Sequence, residues 1–343
     1  MDIKINAAAA LNVLENIPQR RITVFGDYCL DKYLYIDPDR DEPSVETGLT
    51  AYQVHGKGLY PGAGGTIVNN LRALGAQVTC VGIVGDDGEG YELLRALENI
   101  GADTSLMVKT SERVTCTYTK PMRKEQDGSY REMNRLDFRN FTPTPRGVEE
   151  QLIENLKKAV AVSHGVITLD QFMERNLAAV TDRARDTLGE LAAAHPEKVF
   201  FTDSRGFTSL YRNVIVKCNE RELMMVMNET NAPADAETLA RLAGKLEQIS
   251  GRPVMVTAGK DGAYVSEKGE LAYIPAFTVD GPIDIVGAGD ATSAGFTLGL
   301  TLGLPMPAAA LLGGCVSSIT IQQIGVTGTA SPAQMRDRLQ SVM

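Results

Sequence analysis

Tryptophan is absent from this chain, aromatic residues make up only 6% of it, and its three histidines, His55, His164 and His195, lie far apart. Isolated histidines of this kind are core or surface residues more often than bases, so chemistry built on imidazole is not expected. Cysteine is scarce too. Cys29, Cys80, Cys116, Cys218 and Cys315 are odd in number and show no C-x-x-C spacing, which argues against a disulfide framework or a zinc site and for buried thiols. No apolar run approaches the ~20 residues a membrane span needs. No basic segment followed by an apolar core opens the chain, so no secretory signal is expected and the cytoplasm is the expected compartment. Positive charge is in deficit. With 34 Lys and Arg against 43 Asp and Glu, the net charge of -9 argues against a nucleic-acid partner. An anionic substrate would need local basic residues.

What is present is ordinary for a globular protein, 43% hydrophobic and 22% charged over 343 residues, a size that one α/β domain can reach. Ile22-Thr23-Val24-Phe25 reads as a buried strand. From Val148 onward the pattern alternates: helix over Leu152 to Val160, strand over Gly165 to Leu169, helix over Leu177 to Ala194, strands over Val199 to Asp203 and Val214 to Cys218. Such alternation predicts a mostly parallel sheet with helices on both faces. Two stretches break it. Residues 32–60 and 114–138 carry period-two, half-exposed patterns, the second turning at Asp127-Gly128, and together predict a small β lid inserted in a single domain spanning residues 1–343.

The stretch with the most chemistry is Asp284-Ile285-Val286-Gly287-Ala288-Gly289-Asp290, running into an apolar helix. Glycines there uncover the N–H groups that a helix start leaves without intrahelical partners, and the aligned peptide dipoles add roughly half a positive charge. An anion fits such a place, and Asp290 beside it is positioned to take a proton from an attacking hydroxyl. A tight turn with an Asp cap is the competing reading. Other stretches carry lesser signals. Asp27 and Asp31 follow the first core strand, where open parallel sheets bind ligands. Gly62-Ala63-Gly64-Gly65-Thr66 opens a helix with Ile67, Leu71 and Leu74 on one face. Gly82-x-x-Gly85 lacks the spacing of a dinucleotide fingerprint. Asn219-Glu220-Arg221-Glu222 is either an acidic helix start or a metal-ordering motif.

The Asp-x-x-Gly-Ala-Gly-Asp signature resembles that of the ribokinase-like (PfkB) carbohydrate kinases. Gly26-Asp27-Tyr28-Cys29-Leu30-Asp31 and Arg135-Leu136-Asp137-Phe138 are similar to segments of the bacterial heptose 7-phosphate kinases. The resemblance runs from Arg21 to about Ala330 and leaves no room for the nucleotidyltransferase domain that some heptose kinases carry. It implies an ATP- and Mg²⁺-dependent kinase acting on the anomeric hydroxyl of a heptose 7-phosphate or similar sugar, with Asp290 as base and Gly287, Ala288 and Gly289 as the anion hole. Asp27, Asp31, Gly62, Ala63, Thr66 and Asn70 are then the sugar-side residues, with Arg123 and Arg135 available for a phosphate already on the sugar. Asn219, Glu222, Thr257, Gly259 and Gly262 fall on the nucleotide side, Glu222 ordering Mg²⁺ through water. The small-residue face Gly313 to Ser318 offers an adenine slot. Asp284 marks a monovalent-cation site, K⁺ in this family, and a homodimer through the lid is implied. Three positions depart from the family pattern. Ala63 replaces a glycine, Thr66 an asparagine, and Ile285 a threonine. These keep two alternatives open: a kinase of an unphosphorylated sugar or nucleoside, and a binding protein on the kinase fold that no longer turns over.

Overall fold

The computed structural model describes residues 3–343. Its centre is an eight-stranded sheet in the order Glu270–Ile274, Ala263–Glu267, Val254–Thr257, Ile215–Asn219, Val199–Ser204, Gly165–Asp170, Arg21–Gly26 and Gln77–Val81. Pairing is parallel from Val254–Thr257 to Gln77–Val81, and the two strands at the opposite edge are antiparallel. Gly165–Asp170 is buried along its whole length, as a strand covered by helices on both faces must be. Neighbouring residues therefore serve different cores. Phe201 joins Ile167 and Phe296 under the helix Ala288–Thr301, whereas Phe200 joins Val166 and Leu188 under the helices on the other face.

A second sheet of five strands stands beside the first. Tyr28–Ile36 lies at its middle, between Val54–Ala63 and Thr117–Lys124, and the short strands Tyr130–Glu132 and Leu136–Phe138 pair with the last of these. Only Asp27 separates the core strand Arg21–Gly26 from this lid strand, so the lid is anchored in the core. Burial fades accordingly, from Tyr28, Cys29 and Leu30 to the half-exposed Asp31 to Tyr35. The expected turn is in place, with Gly128 at φ 86° and the Asp127 carboxylate accepting from the Ser129 N–H and O–H.

One expectation needs correction. The helix predicted over Leu177 to Ala194 begins only at Asp182. Thr181 caps it, accepting from the Ala184 N–H at 3.2 Å. The residues before it are claimed by distant partners: Arg113 donates to the Leu177 carbonyl, and the Ala179 N–H reaches Asp27 at 2.9 Å. Tertiary contacts override helix propensity here.

Candidate active site

Gly287 caps the helix Ala288–Thr301 at φ 79°, a left-handed conformation that a side chain would strain. A Cβ at this position would also lie 3.3 Å from Thr66 Cγ2. The loop from the C-terminal half of the chain thus abuts the first turn of the helix Gly64–Ala73. Of the donors expected for an anion hole, the Ala288 N–H is drawn to the Ile285 carbonyl at 3.1 Å. That leaves Gly287 and Gly289 of the expected three, and Asp290 adds an N–H that a helix start leaves without an intrahelical acceptor.

Asp290 lies deep among protein atoms but still partly open to the cleft. Burial pushes its carboxyl up to about 7; Asp203 and Asp31 push the same way, while Lys217 and Arg205 oppose them. Four charged groups from three segments therefore bear on one carboxyl. Lys217 is among those the sequence reading missed. It is 4% exposed, its Nζ donates to the Asp203 carboxylate, and a Cβ on Gly289 would lie 3.3 Å from that nitrogen. Ser293 on the Ala288–Thr301 helix also donates to Asp203, at 3.0 Å. Burial alone would depress the Lys217 ammonium, but Asp203, helped by Glu222 and Asp290, holds it above its ordinary value. A signal was available: a lysine inside an apolar strand must find a buried partner.

A cavity of about 490 Å³ opens on the other side of Gly289, within the range of cofactor pockets. Thr257, Gly259 and Gly262 line it, as do Ala288, Ser317 and Ser318. Ile285 forms part of its wall, so this departure replaces a hydroxyl by apolar surface facing the cavity. Asn219 and Glu222 form a reciprocal cap instead: the Glu222 N–H reaches Asn219 Oδ1 at 2.9 Å and the Asn219 N–H reaches Glu222 Oε2 at 2.8 Å. Both carboxylate oxygens of Asp284 accept backbone N–H groups, from Val286 and Gly325, each at 3.0 Å. It ties the loop before Ala288 to the turn after the helix Met306–Thr320.

On the acceptor side, Asp31 is the carboxylate that faces the site. It pairs with Lys120 at 2.9 Å, and a Cβ on Gly62 would come within 2.3 Å of its Oδ2, so any larger residue there would displace the carboxylate. Ala63 stands at φ 52° and ψ -121°, a strained backbone for any residue with a side chain. Asn70 is fully buried; its amide N–H returns to the Thr66 carbonyl at 3.0 Å, and its Oδ1 has no protein partner. Asp27, expected on the sugar side, is engaged within the protein. Its two oxygens accept from the Gln171 and Ala179 N–H groups, each at 2.9 Å, clasping the loop before Thr181. Arg123 and Arg135 are already engaged, Arg123 with Asp41 at 2.7 Å and Arg135 with both oxygens of Asp137 at 2.6 and 2.8 Å.

Residues 20–334 match the family described as pfkB family carbohydrate kinase. The chain belongs to that family. This pfkB kinase is 28% identical over 334 residues to the bifunctional protein HldE of Trichlorobacter lovleyi, covering 94% of this chain, and 27% identical over 329 residues to that of Pelobacter propionicus. It spans 64% of the length of each of these relatives. Among solved structures, phosphofructokinase-2 from Escherichia coli, in complex with potassium, superposes with a TM-score of 0.71 at 16% identity over 94% of this chain and 99% of that one. A PfkB protein from Polaromonas sp. JS666 superposes with a TM-score of 0.63 at 19% identity over 93% of this chain and 99% of that one. At these identities the structures speak for the fold alone.

As a pfkB kinase the protein is an ATP-dependent sugar kinase, and the family implies magnesium with the nucleotide. The residues fit such an ion. Burial raises the Glu222 carboxyl, and the Asp203 charge raises it further, a carboxylate repulsion that a divalent cation would relieve. Magnesium keeps most of its waters, so one or two carboxylates suffice when phosphates supply oxygens. Among the described residues no cluster of three or more His, Cys, Asp or Glu could cage a metal, and no helix is long and apolar enough to cross a membrane.

Proposed function

We propose that this kinase transfers the γ-phosphoryl group of ATP to the anomeric hydroxyl of a heptose 7-phosphate or a similar sugar phosphate. The observation that carries the transfer is Asp290, set at a helix start, pushed up to about 7 and within electrostatic reach of Asp31. A base works best with a pKa near the working pH. Asp290 takes the hydroxyl proton as the sugar oxygen bonds to phosphorus and the bond to the ADP oxygen breaks with its electron pair. The N–H groups of Gly289 and Asp290 and the Lys217 ammonium face the charge that develops on the transferred group. Glu222 would hold magnesium through water, and the ion would supply positive charge toward the phosphate groups. The adenine end occupies the cavity at Thr257, Gly259 and Gly262. On the acceptor side, Asp31 takes sugar O–H donors, and the unpartnered Asn70 oxygen offers a second acceptor. The lid strands exclude water, which favours transfer over hydrolysis.

Residues 1–343 work as one unit in this proposal, with the lid segments 32–60 and 114–138 closing over the sugar. Two copies pair through the lid, whose Tyr52, Val54, Leu136 and Phe138 are exposed. Asp284 shapes a monovalent-cation site through the loop it ties rather than as a ligand. A second reading, an unphosphorylated sugar or nucleoside as acceptor, is favoured by one observation: both lid guanidiniums already hold carboxylates. Turnover with heptose 7-phosphate beside the unphosphorylated sugar, at equal ATP, separates the two. Preference for the phosphorylated sugar is expected; equal use of both refutes the phosphate-binding lid.

A further inference from the structure

Where the lid strand Tyr28–Ile36 meets Thr117–Lys124, two of the chain's five cysteines come together. The strands pair in parallel with Leu30 opposite Thr117, and the Leu30 N–H donates to the Cys116 carbonyl at 2.8 Å. Cys29 therefore stands across from Cys116, one residue before the paired Leu30 and Thr117. Adjacent strands lie roughly 4.8 Å apart, inside the Cα separation of about 4.4 to 6.8 Å that a disulfide accepts. Cys29 is fully buried, but Cys116 lines a cavity of about 30 Å³ with Asp27, Arg113 and Arg139. A cavity needs roughly 10 to 15 Å³ to admit a water, so this one has room for a small molecule beside Cys116.

We propose that Cys116 and Cys29 are a peroxide-sensitive dithiol that closes to a disulfide across the two lid strands, locking the lid beside Asp31. Cys116 has the surroundings of a reactive thiol. The Cys29 thiol opposite lowers it below the ordinary thiol range, Arg113 and Arg139 act in the same direction, and burial and Asp27 oppose them. Cys29 is correspondingly raised by Cys116 and by burial, so of the two sulfurs Cys116 ionises first. The Cys116 thiolate attacks one oxygen of hydrogen peroxide; an S–O bond forms, the O–O bond breaks, and hydroxide leaves to take up a proton, leaving a sulfenic acid. The Cys29 sulfur then attacks Cys116, losing its proton to the departing hydroxyl, and an S–S bond replaces the S–O bond. Two thiols lose two electrons and one peroxide becomes two waters. The other cysteines lack this setting. Burial pushes Cys80 and Cys315 up to about 12 and Cys218 higher still, where a thiol is inert.

The test is peptide mapping of the intact protein, without reductant, after stoichiometric hydrogen peroxide. A Cys29–Cys116 crosslink is expected, absent in Cys116→Ser and Cys116→Ala and reversed by dithiothreitol. In Cys29→Ala, a dimedone adduct on Cys116 should appear in its place. Oxidation falling on Cys80, Cys218 or Cys315 instead, or no crosslink in the wild type, overturns the dithiol. This readout does not depend on the proposed reaction. For the lock, oxidised wild type should lose phosphoryl transfer by about tenfold or more, since a misplacement of roughly 1 Å can cost 10²-fold, while Cys116→Ala under the same treatment keeps its rate. Full activity with the crosslink in place overturns the lock.

Discussion

The phosphate end and the lid of this kinase treat charge in opposite ways. At the phosphate end Asp290, Asp203 and Lys217 converge among buried residues, and the other two charges shift the proton affinities of Asp290 and Lys217. In the lid, Arg123, Arg131 and Arg135 each pair with a carboxylate of the same sheet or its loops, and Arg131 and Arg135 do so at the surface. The dielectric decides the difference. Where water is excluded, a charge is tuned strongly and cannot be removed cheaply; where water remains, a pair is worth about 0 to 1 kcal/mol and can be exchanged. The exposed Arg135 pair is therefore a weaker barrier to a substrate phosphate than the half-buried Arg123 pair. A doubly ionised phosphate can take an arginine from a single carboxylate at small cost.

The largest effect expected from this contrast is at Asp290. Asp290→Asn should lower the transfer rate by about 10² to 10⁴, since an amide cannot take the proton, and near wild-type turnover in the purified variant would remove Asp290 from the chemistry. The wild-type rate should rise with pH up to about 7 and then level, because the ionised form is the base. Stability carries the opposite sign. A carboxyl raised to about 7 on folding stabilises the fold only at low pH, and that contribution is lost as pH rises from the ordinary carboxylate range through about 7. Asp290→Asn should therefore raise the melting temperature more at pH 8 than at pH 5, and an equal shift at both refutes the raised carboxyl.

Next comes the buried pair. Lys217→Met leaves Asp203 uncompensated and should cost roughly 3 to 5 kcal/mol in stability, whereas Lys217→Met with Asp203→Leu should recover most of it. If Lys217 also serves the phosphate, the double variant regains its denaturant midpoint but not its turnover. Recovery of both assigns Lys217 to the fold alone.

In the lid the expected changes are smaller. Arg123→Ala and Arg135→Ala should each weaken acceptor binding by about tenfold with the ATP constant unmoved, since a charge-assisted hydrogen bond is worth roughly 1.5 to 3 kcal/mol. Unchanged acceptor affinity in both variants would make them surface pairs only. Smallest of all is Ala63→Gly. Relief of the strained backbone, about 1 to 3 kcal/mol, is partly offset by the added freedom of the unfolded chain. A net gain of roughly 1 kcal/mol in chemical denaturation is expected, and a loss would show that the Ala63 methyl packs usefully.

Much of this was legible in order along the chain. Gly287, Gly289 and Asp290 could be placed at a helix start because glycine and an apolar helical run are local signals. The Asp127-Gly128 turn was readable for the same reason. The reciprocal cap of Asn219 and Glu222 bears out the helix-start reading of that motif, and Glu222 also lies within electrostatic reach of Asp203 and Lys217. Asp27 could not be read. Its motif position suggested a sugar ligand, but the loop that returns to it comes from residues 171–179.

The sequence by itself determined the periodicities: continuous apolar strands, amphipathic helices, half-exposed lid strands and a glycine loop before a buried helix. Each depends on residues within one or two turns of one another, so local backbone preference and hydrophobic pattern suffice to specify it. Only the tertiary structure decided which charges meet. Lys217 with Asp203 and Ser293, Asp31 with Lys120, and Cys29 with Cys116 join segments far apart in the chain. Such partners are chosen by sheet order and register, because a buried polar group takes whichever partner the packed strands bring within reach, and no local pattern records that choice.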